Sequence, residues 1–303
     1  MLHLKKALHS NPGDWQLYML VLPAVVYVFI FAYIPMYGLQ IAFKDYRSSL
    51  GIMGSEWVGF KHFIRFISFP NFWLIITNTL RISLYSLSTF PLAVIFALLL
   101  NEIGNARYKK TIQMISYAPH FLSTVVICSM LRLFLAQDTG VINHIIAMLG
   151  GQRTEFIIVA SFFADMYVWS GVWQNLGWGA IIYLAALSGV SYEMVESARV
   201  DGANRLQVIW HINIPSIMPT IVIMLILSCG GILSVGFEKV FLLQTPLNLS
   251  RSQVISTYVY EVGLRGAQFS YATAIGFFNT IVNVTLLAMV NIAAKKTSSI
   301  SIW

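Results

Sequence analysis

The chain has 303 residues, 57% hydrophobic and only 10% charged, with a net charge of +7 and a mean hydropathy of +0.73. Soluble domains are about half apolar and about a quarter charged, so this composition excludes an ordinary soluble enzyme and makes the bilayer the expected solvent. The basic residues stand singly between apolar runs, which fits charge at membrane faces and excludes nucleic acid as a partner.

The opening stretch, MLHLKKALHSNPGDWQLYMLVLP, sets Lys5 and Lys6 ahead of an apolar run. That run is too long for a signal peptide and lacks a small-residue cleavage pattern, so a retained first span is expected over about 16–43. A helical crossing needs about 20 mostly apolar residues. Five further segments qualify, roughly 72–100, 113–137, 157–187, 216–245 and 269–293. The expected fold class is an all-α membrane protein with six transmembrane helices. Pro23, Pro35, Pro91 and Pro119 lie within or beside these spans and predict kinks that neighbouring helices accommodate. Cys128 and Cys229 lie singly in apolar spans, which predicts neither a disulfide framework nor a metal site. No internal repeat, low-complexity stretch or second soluble domain is visible.

Six spans put both termini on one face. Lys5, Lys6, Lys295 and Lys296 mark that face as cytoplasmic, with inner loops at 101–112 and 188–215. Arg107, Lys109 and Lys110 in NEIGNARYKKTI agree, although nine Lys or Arg on the inner side against seven on the outer is a small margin. The outer segments are 44–71, 138–156 and 246–268. In the first, Trp57, Phe60, Phe63, Ile64 and Ile67 recur at helical spacing and predict an amphipathic interfacial helix. Such a helix either covers the bundle or docks an extracellular partner.

Between spans four and five sits ESARVDGANRLQVIWHINIP, Glu196 to Pro215. Ser191 takes an N-cap position with Glu193 in the first turn, where the helix dipole favours negative charge. A short helix to about Val200 follows. Gly202 suits a sharp turn because it accepts positive φ. A second short helix from about Ala203 to His211 presents Leu206, Ile209 and Trp210. Pro215 ends it, and Pro219 fits the first turn of span five. The predicted hairpin has mixed charged and apolar faces, and it serves either a protein partner or the lipid surface.

The spacing E-S-A-x-x-x-G-x9-I-x-I-P resembles the EAA motif of binding-protein-dependent ABC importer permeases, E-A-A-x-x-x-G-x9-I-x-L-P. Glu196, Ala198, Gly202, Ile212 and Pro215 match, while Ser197 replaces an Ala and Ile214 a Leu. The stretches YIPMYGLQIAFKDY, WVGFKHFIRF, NEIGNARYKKTIQMISYAPHFLSTVV, VGFEKVFLLQTP and VISTYVYEVGL extend the resemblance over nearly the whole chain, to LplB-type permeases of the MalF/MalG class. The resemblance implies an ABC importer type I permease fold and import of oligosaccharides or polysaccharide fragments. It implies four kinds of partner: a second permease, two cytoplasmic ATPases, an extracellular solute-binding lipoprotein and membrane lipid. It makes the hairpin, over 190–215, a coupling element seated on an ATPase through Glu196, Ser197, Ala198, Asp201, Gly202, Ile212 and Pro215. It also implies a bacterial cell membrane, with both termini cytoplasmic. The corresponding division of the chain is 1–71, a permease core at 72–296 and a tail at 297–303.

Charges inside spans are costly and mark either a polar path or a packing contact. Arg81, Arg132, Asp165, Glu238 and Lys239 all fall in the outer half under this orientation, where they either line a cavity or, for the long Arg132 and Lys239, reach the interface. Asp165, Trp169 and Trp173, with Gly177, share one helix face. They suit a sugar, or equally an aromatic belt beside a helix contact. Asn279 and Asn283 repeat one turn apart and predict interhelical hydrogen bonds, and Asn279 is also a candidate for the path. The candidate substrate path is therefore Arg81, Asp165, Trp169, Trp173, Glu238 and Asn279.

No phosphate-cradling G-x-x-x-x-G-K-[ST] and no catalytic or metal-ligating set occurs in the sequence. The expectation is a non-enzymatic permease subunit with no cofactor of its own, ATP and Mg being bound by partner subunits. The alternative is an ion-coupled secondary sugar transporter with Asp165 or Glu238 as its carrier site. The low span count and the lack of an inverted repeat weigh against it.

Overall fold

The computed structural model describes the backbone of residues 14–298 and the side chains of residues 15–296. Lys5 and Lys6, on which the expected orientation leans, lie outside the described residues. The first span, Trp15–Phe43, opens with α1 (Asp14–Val28) and continues through a π turn at Phe29–Tyr33, the turn Ile34–Met36 and a 3-10 segment at Tyr37–Phe43. The π turn precedes Pro35: the Ile34 N–H donates back to Phe29, so the helix is already widened where proline offers no N–H. Apolar side chains of α1 such as Leu20 and Leu22 are exposed along its length, and the span meets the rest of the chain mainly at its Tyr37–Phe43 end.

Residues 44–67 form a small cap. Strands β1 (Lys44–Arg47) and β2 (Ser55–Trp57) pair antiparallel with Lys44 opposite Trp57, and α2 (Lys61–Ile67) follows. The expected amphipathic helix is thus shorter than its pattern: Trp57 lies in β2, and Gly59 turns the chain at φ +59° before α2 begins. Helix α2 buries His62 and Phe66 while Trp57, Phe60, Ile64 and Ile67 stay exposed. Asp45 accepts from Lys61, and its other oxygen lies 3.0 Å from His62 Nε2. The Lys61 ammonium holds the Asp45 carboxyl below its ordinary range. The cap is fastened to the last span by Tyr46 N–H donating to Ser270 Oγ at 2.9 Å and by Arg65 stacked 4.2 Å over the Tyr271 ring.

Span two is α3 (Phe72–Ser88) and α4 (Phe90–Asn101), broken at Thr89 with Pro91 in the first turn of α4. Span three departs from expectation. Instead of one helix over 113–137 it is α5 (Ala106–Tyr117), a 3-10 turn at Ala118–Phe121 and α6 (Thr124–Leu135), bent by 99°. Pro119 starts the break, and Ser123 restarts the helix by accepting from the Val126 N–H. The expected loop at 101–112 shrinks as well, because Asn105 caps α5 by accepting from Arg107 and Tyr108 N–H groups. After α7 (Val141–Met148), span four is α8 (Phe163–Ser188), which turns by 76° into α9 (Tyr192–Val200).

Span five needs two corrections. The second arm of the hairpin is not a short helix ended by Pro215. It is α10 (Arg205–Val208), which runs through a π turn at Ile209–Asn213 into α11 (Ile214–Cys229) as one continuous helix, Arg205–Cys229, with Pro219 inside it. The arrangement at Pro35 is repeated here, with Ile214 N–H donating back to Ile209 so that Pro215 is accommodated. The span then stops at Cys229 rather than near 245: residues 230–236 are non-helical and α12 (Phe237–Leu243) follows. Helices α13 (Ile255–Tyr260) and α14 (Phe269–Ser298) complete the chain. Among the described residues four helices have the length and composition to cross a bilayer, Phe72–Asn101 with its one-residue turn at Thr89 among them, and the number is six when each bent pair is taken as one span. Counting crossings puts the 44–67 cap and the hairpin on opposite faces.

The cores of the bundle sit at its two ends. Phe163, Met166, Val240 and Leu243 belong to one buried cluster and Phe66, Phe72, Tyr258 and Tyr271 to another, both drawn from the cap-side stretches of the spans. Val94, Leu98, Tyr183, Leu187 and Ile217 form a third towards the hairpin. Gly177 lets α8 close on α5: a Cβ there would lie 2.4 Å from the Ser116 carbonyl oxygen. Gly177→Val should therefore force these helices apart and destabilise the protein by about 1–3 kcal/mol, read as a lower Tm of the purified protein in detergent. An unchanged Tm would show that the contact yields without cost.

Candidate functional site

Between the two end cores the spans are interrupted, and the interruptions border a cleft of mixed lining, hydroxyls and amides set among apolar side chains. Two adjoining cavities of about 320 and 370 Å³ share Ser86, Thr89, Phe90, Tyr167 and Ser228. The break of span two at Thr89 and the non-helical 230–236 stretch both border this space. Further along α8, Gln174 and Asn175 line it, and Lys239 enters from α12.

Broken backbone inside a bilayer is tolerated only where other groups satisfy it; the turn at Thr89 is closed within span two, and the breaks at 118–123 and 230–236 are met by side chains of other elements. Asn283 of α14 accepts from the Leu233 N–H at 3.0 Å, and its amide donates to Ser234 Oγ at 3.0 Å. Tyr167 OH accepts from the Gly236 N–H at 3.2 Å, and Ser256 Oγ donates to the Val235 carbonyl at 3.1 Å. At the bend of span three, Gln174 Nε2 donates to the Leu122 carbonyl at 3.2 Å. Asn175 Oδ1 meets His120 Nδ1 at 2.9 Å, and the His120 ring stacks on Trp178 at 4.3 Å. Several of the groups that hold the breaks also face the cleft, Tyr167 and Gln174 among them.

Most residues expected for the substrate path lie elsewhere. Asp165, Trp169 and Trp173 do come together, but in a separate apolar cleft of about 440 Å³ against α6, beside Met130 and Phe134. There Tyr85 OH donates to Asp165 Oδ1 at 2.8 Å, and Trp169 Nε1–H donates to Tyr85 at 2.8 Å, tying span four to span two. Arg81 and Glu238 are exposed and border neither cavity of the central cleft. Asn279 lies on α14, its Oδ1 buried and without a partner among the described residues. Arg132 donates to the Leu242 carbonyl, bracing α6 against α12. Lys239 does not reach for an interface: its ammonium donates to the Tyr167 carbonyl at 2.9 Å and lies 4.9 Å from that ring. The hydroxyls and amides that do line the cleft carried no sequence signal, since every span holds at least one Ser, Thr or Gln.

The hairpin is the second feature. Tyr192, Met194, Glu196, Ser197, Val200, Leu206 and Trp210 are exposed. Ser191 stands at the N-cap of α9 without a side-chain hydrogen bond. Asn204 caps the second arm instead, in a reciprocal pair with Gln207 at 2.9 and 2.7 Å. Gly202 turns the chain at φ +86°. Ala198, Asp201, Gly202 and Ile212 line a cleft of about 330 Å³ between the arms, whereas Pro215 is exposed on the long helix.

Comparison with known proteins agrees with this architecture. Residues 89–299 match the family described as binding-protein-dependent transport system inner membrane component. The chain is 43% identical over 281 residues to the polygalacturonan/rhamnogalacturonan transport system permease protein YteP of Bacillus subtilis, covering 92% of this chain and 88% of that protein. It is 44% identical over 284 residues to Protein LplB of the same organism, covering 93% and 89%. A chain in the crystal structure of a bacterial alginate ABC transporter, in complex with an alginate pentasaccharide-bound periplasmic protein, superposes with a TM-score of 0.88 at 38% identity, over 95% of this chain and 97% of that one.

Because the Asp165–Tyr85–Trp169 hydrogen bonds join two spans away from the central cleft, Tyr85→Phe should lower the Tm of the purified protein and leave the substrate dependence of transport unchanged. Thermal unfolding and uptake kinetics read the two arms. Altered substrate dependence at wild-type stability would return Asp165 to the path.

Proposed function

The chain belongs to the binding-protein-dependent transport system inner membrane component family, and from that premise we propose that it is one of two permease subunits of an ATP-driven importer of oligosaccharides or polysaccharide fragments. In this reading the second permease supplies the other half of the path. Two ATPases bind ATP and Mg on the hairpin face, and a solute-binding protein delivers sugar on the face of the 44–67 cap. This subunit itself is no enzyme. What carries the reading is the joining of the central cleft to the exposed hairpin by two unbroken levers. Helix α8 lines the cleft from Tyr167 to Tyr183 and ends three residues before α9. The helix Arg205–Cys229 starts at the hairpin and reaches the cleft at Met224 and Ser228.

A cleft of hydroxyls and amides gives a sugar hydroxyl the partners it loses on leaving water, while the surrounding apolar spans exclude ions that have no such partners. ATPase closure displaces the hairpin, and the two levers transmit the movement to the breaks at Thr89 and 230–236. Rocking of one bundle about a central site is alternating access. Glu196 and Ser197 present polar contacts from α9, while Ala198, Asp201, Gly202 and Ile212 shape the crevice between the arms that a protein surface fills. The names of the relatives, polygalacturonan, rhamnogalacturonan and alginate among them, support carbohydrate polymers as the cargo class.

Gly202 holds a left-handed conformation with open space around it, so a side chain there costs about 1–2 kcal/mol of local strain and re-aims the arms without touching the spans. Gly202→Asp, or Glu196→Lys, should reduce substrate-stimulated ATPase of the purified complex by on the order of tenfold while the Tm holds. Wild-type stimulation with full uptake in both variants rejects a coupling role for the hairpin. Uptake that survives ATP depletion and collapses with an ionophore would establish the ion-coupled alternative instead.

A further inference from the structure

Among the described residues that line the central cleft, Lys239 is the one charged side chain. Its surroundings are built to hold it without neutralising it. The ammonium gives one hydrogen bond to the Tyr167 carbonyl at 2.9 Å and rests 4.9 Å from the Tyr167 ring centroid, which leaves donors of its three for another acceptor. Gly171 keeps the neighbouring face of α8 bare: a Cβ there would stand 3.4 Å from Nζ. No carboxylate pairs with it, the ion pairs among the described residues being those of Asp45. Asp165 is taken by Tyr85, and Glu238, next to Lys239 in sequence, is exposed and borders neither cavity. The other cation nearby, Arg132, donates to the Leu242 carbonyl and borders neither cavity.

A cation in a membrane-embedded cleft is costly unless function requires it, and a path for neutral sugars would be served by the hydroxyls and amides alone. With low-dielectric walls around it, an unpaired ammonium attracts anions into the cleft and strengthens any charge-assisted hydrogen bond made there. The remaining lining, Ser86, Thr89, Gln174, Asn175 and Ser228, suits the hydroxyls of the same molecule. We propose that Lys239 binds a carboxylate of the passing sugar, so that this path favours uronate-bearing oligosaccharides over neutral ones of equal length. The proposal rests on the carbohydrate-importer reading and adds to it a substrate charge and the residue that recognises it.

The test uses the complete importer in proteoliposomes and two matched probes: labelled tetragalacturonate and its carboxyl-reduced, neutral counterpart. Each is supplied at a concentration that saturates the solute-binding protein, so that the rate reports the permease. Lys239→Gln should slow uptake of the acidic probe by about tenfold or more, the loss of one charge-assisted hydrogen bond, and leave the neutral probe within about twofold of wild type. Lys239→Arg should restore most of the acidic uptake. Equal slowing of both probes by Lys239→Gln would assign the residue to bracing α12 on α8 and overturn the proposal, and unchanged uptake of both would overturn it as well. Import of only the neutral probe by the wild type would reject the proposal while leaving carbohydrate import standing. Import of neither probe would reject the carbohydrate reading itself.

Discussion

In a bilayer, a backbone N–H or C=O that leaves a helix has no water to replace its partner, and leaving it bare costs several kcal/mol. The rest of this structure depends on that constraint. Span two turns at Thr89, span three is bent at 118–123, and span five ends at Cys229 ahead of the non-helical 230–236 stretch. At the two larger breaks, the freed groups are met by Asn283 of α14, Tyr167 and Gln174 of α8, and Ser256 of α13. Once polar side chains are drawn to the middle of the bundle to serve the backbone, apolar packing is confined to its two ends. The space left between the end cores carries hydroxyls, amides and one ammonium among apolar side chains, and it is the natural position for a path.

The same economy appears where proline meets a span. Pro35 and Pro215 each follow a π turn, and the widened turn removes the demand for the N–H that proline lacks. Continuity through Pro215 makes the second hairpin arm and the first part of span five one helix. The hairpin and the cleft can then move together. Had the helix ended at Pro215, motion of the arm would dissipate in a loop.

Lys239 shows how one residue can be structural and functional at once. Its bond to the Tyr167 carbonyl fastens α12 to α8, close to where Tyr167 OH holds Gly236 at the edge of the break. The cleft carries polar groups partly because its walls need these bonds, so position near the break, rather than residue type alone, separates lining from mere packing. The Asp165–Tyr85–Trp169 set makes equally good hydrogen bonds, yet it borders an apolar cleft against α6. Equal chemistry at different heights and faces of the bundle serves different ends.

The sequence by itself determined the solvent, the six apolar stretches and the Gly-turned hairpin, because these rest on composition, run length and local caps that act over a few residues. Its family followed from the hairpin spacing from Glu196 to Pro215. Tertiary structure alone decided where the spans break, that the helix passes through Pro215, and that Trp57 joins a strand while α2 begins at Lys61. It also decided which polar residues share the cleft. Ser86, Thr89, Ser228 and Lys239 are separated by up to 153 positions in the chain, and nothing local distinguishes them from the other hydroxyls and cations of the spans. Thr89 and Ser228 bond carbonyls of their own spans and Lys239 one of α8, so what brings them together is the packing of those helices, which no local pattern encodes.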